Sequence, residues 1–391
     1  MDFGLKSEEE AFRHLVREFL RAEVPPEWRW YRYAFDHYGH GEEVRQFARA
    51  MARKLGERGW LSLTWPEEYG GRDASALFQV ILAEELEYRG CPGLDIFGVG
   101  MISPTLLSFA NVEQKREHLP RIAGGETFWC EMFSEPGVGS DLASLGTGAV
   151  EDSDFYVING QKVWTSGAHQ ADWGAILVRT DRDLPKHRGL SFFLVDMKTP
   201  GISVRPLLNM AGDHESNEVF FDDVRVPKRN LVGDKNQGWP VVLGLLNFER
   251  ATAVPFHAAA RHHLDEVVRY AGGMKSLSPV LRRSLTELMI QCEIARILTY
   301  RVAWLQGRGL PFDAEAATVK LFSTELNQRV AGVAMGVLGL YSGLMEGSKW
   351  ARLDGRAAWY WLRSVGNTLE AGSSEIDRDI VALRGLGLPR P

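Results

Sequence analysis

Cysteine is scarce. The 391-residue chain has three, Cys91, Cys130 and Cys292, far apart and without metal-ligand spacing. This excludes a disulfide-stapled secreted domain and a cysteine-built zinc centre, and a reduced, cytoplasmic protein is the simplest expectation. Long apolar runs are missing, so no membrane span is expected. Met1-Asp2-Phe3-Gly4 shows no basic and apolar leader and begins a folded pattern. Neither sign of charge dominates: the net charge of −6 argues against a nucleic-acid partner. His257, His262 and His263 lack the four-residue spacing of a zinc pair, and the adjacent His262 and His263 face different ways on a helix. They read as solvated or packing histidines, no metal site is expected, and His169 and His214 have no motif partner. Gly137 and Gly139 are followed by Leu142 where a third glycine would complete Gly-x-Gly-x-x-Gly, which excludes a Rossmann site. There is no internal repeat and no low-complexity tract.

What is present is an ordinary globular composition, 45% hydrophobic and 25% charged, in a chain long enough for two or three domains. The pattern changes twice. Residues 1–126 read as helical, with Ser7-Glu8-Glu9-Glu10 as a capping box and a helix over 74–89 whose Glu84-Glu85 reads as a solvated face. Two shorter helices fit 103–110 and 113–124. Residues 127–237 read as strands in a compact antiparallel barrel or sandwich. Within them, Asn159-Gly160 between two β-rich runs signals a hairpin. Residues 238–391 read as a four-helix bundle. One helix runs over 239–270 with a kink near Pro255. A second opens at Ser278-Pro279, a third spans 313–344, a fourth 351–369, and a short one starts at Gly372-Ser373-Ser374. Arg282-Arg283 reads as helix surface.

The stretch Glu131-Met132-Phe133-Ser134-Glu135-Pro136-Gly137-Val138-Gly139-Ser140-Asp141 opens the β region. Its Gly, Pro and Ser signals force a turn that leaves backbone N–H groups available to one guest. Some thirty residues on comes Lys162-Val163-Trp164-Thr165-Ser166-Gly167, with an indole and two hydroxyls. Polar donors beside a flat aromatic wall suit a large planar cofactor with a polar tail. The pair resembles the flavin-binding signature of the acyl-CoA dehydrogenase family. Further marks of that family are Gly59-Trp60 to Gly71, Val219-Phe220-Phe221-Asp222-Asp223-Val224-Arg225-Val226-Pro227, and the tail from Ser374-Glu375-Ile376-Asp377-Arg378 to Leu386-Gly387-Leu388-Pro389-Arg390. Five marks in order extend the likeness over nearly the whole chain.

The resemblance implies an α+β protein that holds FAD, desaturates an acyl-CoA thioester between its α and β carbons, and passes electrons to an electron-transfer flavoprotein. By analogy Phe133, Ser134, Gly139 and Ser140 lie along the flavin and the acyl thioester, with Ser140 also touching substrate. Trp164 and Ser166 pack on and hydrogen-bond the flavin ring, and Ser373 and Glu375 touch the cofactor at a helix start. Many members carry the catalytic glutamate just before the glycine of the C-terminal Gly-Thr/Ser turn. Here that position is Ala371, and Glu370, one residue early, points about 100° away on a helix. A second family location is a Glu-Arg pair on the first bundle helix, matched by Asn247-Phe248-Glu249-Arg250. The base is therefore assigned to Glu249, with a pKa raised by an apolar pocket, and Arg250 to the CoA side.

Two departures bear on assembly. The family's Arg-x-x-Phe-Gly element, which contacts a neighbouring subunit's flavin, has no match near Tyr270-Ala271-Gly272-Gly273-Met274-Lys275. The Gln-x-x-Gly-Gly element survives only as Gly336-Val337-Leu338-Gly339-Leu340. Chains of this kind resemble bacterial members that act as α2β2 heterotetramers. A homotetramer, a half-site subunit, and a flavin oxidase or monooxygenase on the same fold stay open.

Overall fold

The structure is a computed structural model that describes residues 4–26, 28, 33–39, 41–251 and 254–389. In chain order the first helices are α1 (Ser7–Glu23), α2 (Glu42–Glu57), α3 (Ala76–Arg89), α4 (Ser103–Phe109) and α5 (Val112–Ala123). Eight strands follow: β1 (Trp129–Met132), β2 (Gly148–Asp152), β3 (Phe155–Lys162), β4 (Trp173–Arg179), β5 (Leu190–Asp196), β6 (Ile202–Leu207), β7 (Ser216–Pro227) and β8 (Leu231–Val232). The chain then returns to helices: α6 (Gly238–Ala251), α7 (Val254–Gly272), α8 (Pro279–Gln306), α9 (Asp313–Leu338), α10 (Arg356–Asn367) and α11 (Ser374–Ile380). This is the expected α+β class. The contacts divide it into two compact units. One holds Met1–Ala34, Ser75–Pro92 and Arg250–Pro391; the other holds Phe35–Ala74 and Gly93–Glu249.

The first unit is helical. Its first helix starts one residue earlier than the capping-box reading implies: Lys6 is the cap, and its N–H donates to Glu9 Oε2 at 2.7 Å. The Glu84-Glu85 pair on α3 is a correction, because both side chains are buried. Glu84 accepts hydrogen bonds from Arg13, from the Tyr300 hydroxyl (2.9 Å) and from His257 (2.8 Å), while Glu85 pairs with Arg13 and Arg17. Buried carboxylates need such partners. The helix expected over 239–270 is described as α6 and α7 on either side of residues 252–253, which lie outside the described residues, and the kink expected near Pro255 falls beside that gap. The third bundle helix stops at Leu338, where Gly339 turns into a left-handed φ of 56°. His263 stacks on Tyr360 at 3.8 Å, and Arg283 is exposed, bonded to Glu287.

The second unit is built on one sheet, ordered β6-β7-β3-β2-β4-β5-β8, with β1 added beside β4. The sheet is open, and it is mixed: β4 runs parallel to β1 and β2, while the other pairs are antiparallel. Where an antiparallel barrel or sandwich was expected, the β region is thus a single open sheet with two parallel pairings. The Asn159-Gly160 hairpin is also corrected. Both residues lie inside the continuous strand β3, where the register with β7 shifts at a bulge. Gly160 sits at φ 147°, and a Cβ there would meet Thr147 Oγ1 at 2.5 Å. Close backbone approach explains this glycine, as in many strand-interior glycines. The true turn is at Ser153-Asp154, between β2 and β3.

Candidate active site

Strand β1 divides its side chains between two faces. Cys130 and Met132 enter the sheet's apolar core with Ile176, Val178 and Phe193, so Trp129 and Glu131 take the opposite face. Past β1, Phe133 is buried and packs on Phe192 at 6.0 Å. Glu135 and Val138 close a tight turn through reciprocal backbone bonds of 2.9 Å, leaving Pro136 and Gly137 exposed at its tip. Gly139 and Ser140 are exposed, and the Asp141 carboxylate accepts from Lys186.

The two motifs are physically joined. The Val163 N–H donates to Ser134 O at 2.9 Å. The Lys162 ammonium, wholly buried, donates to Phe133 O at 3.0 Å and to Glu135 Oε1 at 2.9 Å. Glu135 also accepts from the N–H groups of Gly146 (2.7 Å) and Thr147 (2.9 Å). Burial pushes the Lys162 pKa down to about 8 against the pull of Glu135. Burial also opposes the Glu135 charge, but Lys162 and the two amides outweigh it, and its pKa lies below the ordinary value.

Trp164 sits where these elements meet. Its neighbours Val163 and Thr165 are buried, yet its indole is 64% exposed and its backbone has φ 59°. A non-glycine residue in that region costs about 1–2 kcal/mol. The strain is held by bonds on either side: Val163 N–H to Ser134 O, Thr165 N–H to Asn217 O, and Gly167 N–H to Glu215 O. Thr165 Oγ1 is buried with no hydrogen-bond partner among the described residues, and Ser166 is half-buried. Behind this turn His169 and His214 stack at 4.0 Å, and Asn217 bridges both rings. Burial and then His214 push the His169 pKa down to about 4, so it braces the turn as a neutral ring.

Glu249 lies on α6, half-buried, in the same unit. Helix α6 packs on α4, and Gly244 is where they touch: a Cβ there would stand 2.8 Å from the Phe109 ring. Glu131 comes within electrostatic reach of Glu249 from the helix-facing side of β1. Burial raises its pKa well above the ordinary value, and Glu249 and then Asp95 raise it further. Among the described residues Glu131 Oε1, itself buried, has no hydrogen-bond partner. Asp95 accepts from Tyr38 Oη (3.1 Å) and from Trp129 N–H (3.0 Å), and burial still pushes its pKa up to about 7. The Arg250 side chain lies outside the described residues.

Ser373 and Glu375 belong to the other unit. Ser373 caps α11 with its own hydroxyl, which accepts from Ile376 N–H at 3.4 Å. Exposed Glu375 lines an open groove with Gln328, Arg329 and Arg378. Ala371 adopts a left-handed φ of 55°, and Glu370 pairs with Arg363 at 3.2 Å. Lys320 donates to Gly372 O and stands 3.6 Å from buried Asp377, which fixes this turn. The structure therefore gathers Phe133, Ser134, Gly139, Ser140, Trp164, Ser166 and Glu249 into one unit. Sequence reasoning missed Glu131, Asp95 and the Lys162–Glu135 pair. A charged residue beside Trp129 and Cys130 in an otherwise apolar strand was the available signal for Glu131.

Models described as acyl-CoA dehydrogenase N-terminal, middle and C-terminal domains match residues 6–126, 130–224 and 236–386. The chain is 36% identical over 360 residues to the acyl-CoA dehydrogenase IpdE1 of Mycobacterium tuberculosis, covering 90% of this chain and 91% of that protein. It is 35% identical to acyl-CoA dehydrogenase FadE26 of the same organism, covering 100% of this chain and 99% of that one. Among solved structures, the Tcur3481-Tcur3483 steroid ACAD matches with a TM-score of 0.89 and 32% identity, covering 100% of both chains. The ChsE4-ChsE5 complex from Mycobacterium tuberculosis matches with a TM-score of 0.88 and 34% identity, again over 100% of both chains.

Proposed function

We propose, on the premise that this chain belongs to the acyl-CoA dehydrogenase family of FAD-dependent oxidoreductases, that Glu249 is its catalytic base and that its substrate is an acyl-CoA with a bulky, steroid-bearing acyl group. The observation that carries the base assignment is that Glu249 lies in the unit that also holds Trp164 and the Ser134–Asp141 turn.

The residues present fit a flavin. An exposed indole held in a strained conformation, with a buried hydroxyl left unpaired next to it, is a cradle rather than a packed core. Phe133, Ser134, Gly139, Ser140, Trp164 and Ser166 would hold the ring and the thioester; for Ser373 and Glu375 a cofactor contact rests on the family resemblance alone. When bound, the flavin supplies the hydride acceptor for the β carbon. Glu249 takes the α proton onto a carboxylate oxygen. A base working near neutral pH needs a proton affinity above that of an ordinary carboxylate. Arg250 binds the CoA side. Electrons then pass to an electron-transfer flavoprotein.

The steroid class and a heteromeric assembly rest on the likeness to the steroid ACAD and to the two-chain complex. The degenerate Gly336–Leu340 element supports the same assembly: Leu340 is fully exposed, a position suited to a partner chain.

The test is the absorbance spectrum of the protein, purified alone and co-expressed with a homologous partner. An anaerobic panel of straight, branched and steroid-bearing acyl-CoA thioesters is then added. Bleaching of the flavin band by the steroid-bearing members is expected, and Glu249→Gln should keep the band but lose the bleaching. Bleaching retained in that variant moves the base to Glu370 or to the partner. A preference for straight chains overturns the substrate class.

A further inference from the structure

Just past the end of β3 the chain turns at Trp164, and Asn217 of β7 meets it there. Asn217 is wholly buried. Its backbone carbonyl accepts from Thr165 N–H at 3.1 Å, and its side-chain amide donates to Thr165 O at 3.0 Å. One residue thus holds both backbone groups of the residue that follows Trp164. Only the nitrogen end of an amide can donate to a carbonyl, so this bond fixes which end of the Asn217 side chain is Nδ2.

That orientation dictates where two imidazoles carry hydrogen. Asn217 Nδ2 also reaches His169 Nδ1 at 3.1 Å, so that ring nitrogen must accept and is bare. The His169 hydrogen is then on Nε2, which donates to Tyr38 O at 3.0 Å. Gln170 Nε2 donates to the same carbonyl at 2.9 Å, so its 3.1 Å approach to His169 Nε2 is that of two donors sharing one acceptor. At the other end of the amide, Asn217 Oδ1 can only accept, so His214 Nε2, 2.7 Å away, must carry a hydrogen. Turning the amide over would set oxygen against Thr165 O and the bare His169 Nδ1, and N–H against N–H at His214. All three contacts would become repulsive together.

We propose that Asn217 is the positioning residue for Trp164: its backbone and side chain grip Thr165 from both sides, and His169 and His214, each donating through Nε2, hold its amide in the one orientation that can do so. This rests on Trp164 as a wall of the flavin site. With the side-chain grip lost, the turn is free to relax from its φ of 59°, and the indole moves with it.

The ring hydrogens are read by 15N NMR of the full-length protein labelled at histidine. At neutral pH it should show His169 with a hydrogen on Nε2 and none on Nδ1, and His214 with a hydrogen on Nε2. Variants separate positioning from packing. Asn217→Leu keeps the bulk but loses the amide. His169→Phe keeps a ring but no acceptor, and His169→Asn restores an amide oxygen near the place of Nδ1. The Kd for FAD, followed by flavin fluorescence, should rise about tenfold in Asn217→Leu and His169→Phe and recover in His169→Asn. In a Trp164→Gly background the His169→Phe effect should vanish, because it acts through the indole. A merely structural role would weaken binding equally in both backgrounds. A hydrogen on His169 Nδ1, no recovery in His169→Asn, or equal losses in the two backgrounds overturns the proposal. The NMR readout needs no variant, so a poorly folding His169→Phe does not remove the test. If Trp164→Gly binds FAD as tightly as wild type while the ring hydrogens stand as stated, the flavin-wall reading fails and the Asn217 grip on Thr165 remains.

Discussion

Lys162 is the pin that joins the two halves of the proposed flavin cradle, and its removal has a calculable effect. The ammonium is wholly buried, and its pKa falls from 10.5 to about 8. At about 1.4 kcal/mol per pH unit, holding it charged costs about 3 kcal/mol. In return it satisfies Phe133 O and Glu135. Lys162→Met abolishes that cost but strands the carboxylate, and breaking a buried pair from one side costs about 3–5 kcal/mol. Glu135 keeps the Gly146 and Thr147 amides, and its side chain is 12% exposed, which places the expected loss near the bottom of that range. The double variant Lys162→Met/Glu135→Gln should recover part of the loss, with a coupling of about 1–3 kcal/mol in a double-mutant cycle. FAD affinity should fall in the single variant, because the turn that follows Phe133 loses its anchor. The pH dependence has a definite sign. Between pH 8 and 10.5 the unfolded lysine binds a proton that the folded one has lost, so wild-type stability should rise with pH there and the rise should vanish in Lys162→Met. A coupling below about 0.5 kcal/mol, or parallel pH curves for the two proteins, would refute the reasoning.

Two further outcomes follow from the same neighbourhood. Trp164→Gly removes about 1 kcal/mol of left-handed backbone strain, so the apoprotein should melt no lower than wild type. FAD measured by fluorescence titration should nevertheless bind at least about tenfold more weakly, equivalent to about 1.4 kcal/mol. Asp95, raised from 3.8 to about 7, should make the protein lose about 1.4 kcal/mol of stability per pH unit as the pH climbs between those values, since the unfolded side chain gives up its proton first. Asp95→Asn should flatten that slope in thermal melts. It should also lower the acid-side midpoint, because an amide cannot accept from both Tyr38 and Trp129 in the same way and an unpaired buried donor costs about 1–3 kcal/mol.

Local chemistry made much of this legible. The Ser278-Pro279 start, the helix ending at Gly124 and the change to strands after Thr127 each follow from residues within a turn of the feature. The Ser134–Asp141 turn was legible because turn residues cluster in sequence. Distance in sequence hid the rest. Glu84 looked solvated because Arg13, His257 and Tyr300 lie 71, 173 and 216 residues away. Asn159-Gly160 looked like a hairpin because the Thr147 backbone that forbids a side chain at Gly160 belongs to another segment. The Lys162–Glu135 bond was concealed in plain view: both residues stood in the quoted motifs, but nothing local says that a lysine at the end of a strand points inward.

The base assignment illustrates how sequence and structure bear on one question from different sides. In sequence, Glu249 was chosen because Ala371 stands where many relatives carry a glutamate. The structure adds reasons of its own. Ala371 occupies a left-handed φ, a conformation that a long side chain adopts only at a cost, and the nearby Glu370 is already paired with Arg363. Glu249 lies within α6, where the backbone imposes no such cost, and the packing glycine Gly244 brings that helix against α4. On that argument the proposed base belongs on α6, in the unit that also holds Trp164 and the Ser134–Asp141 turn.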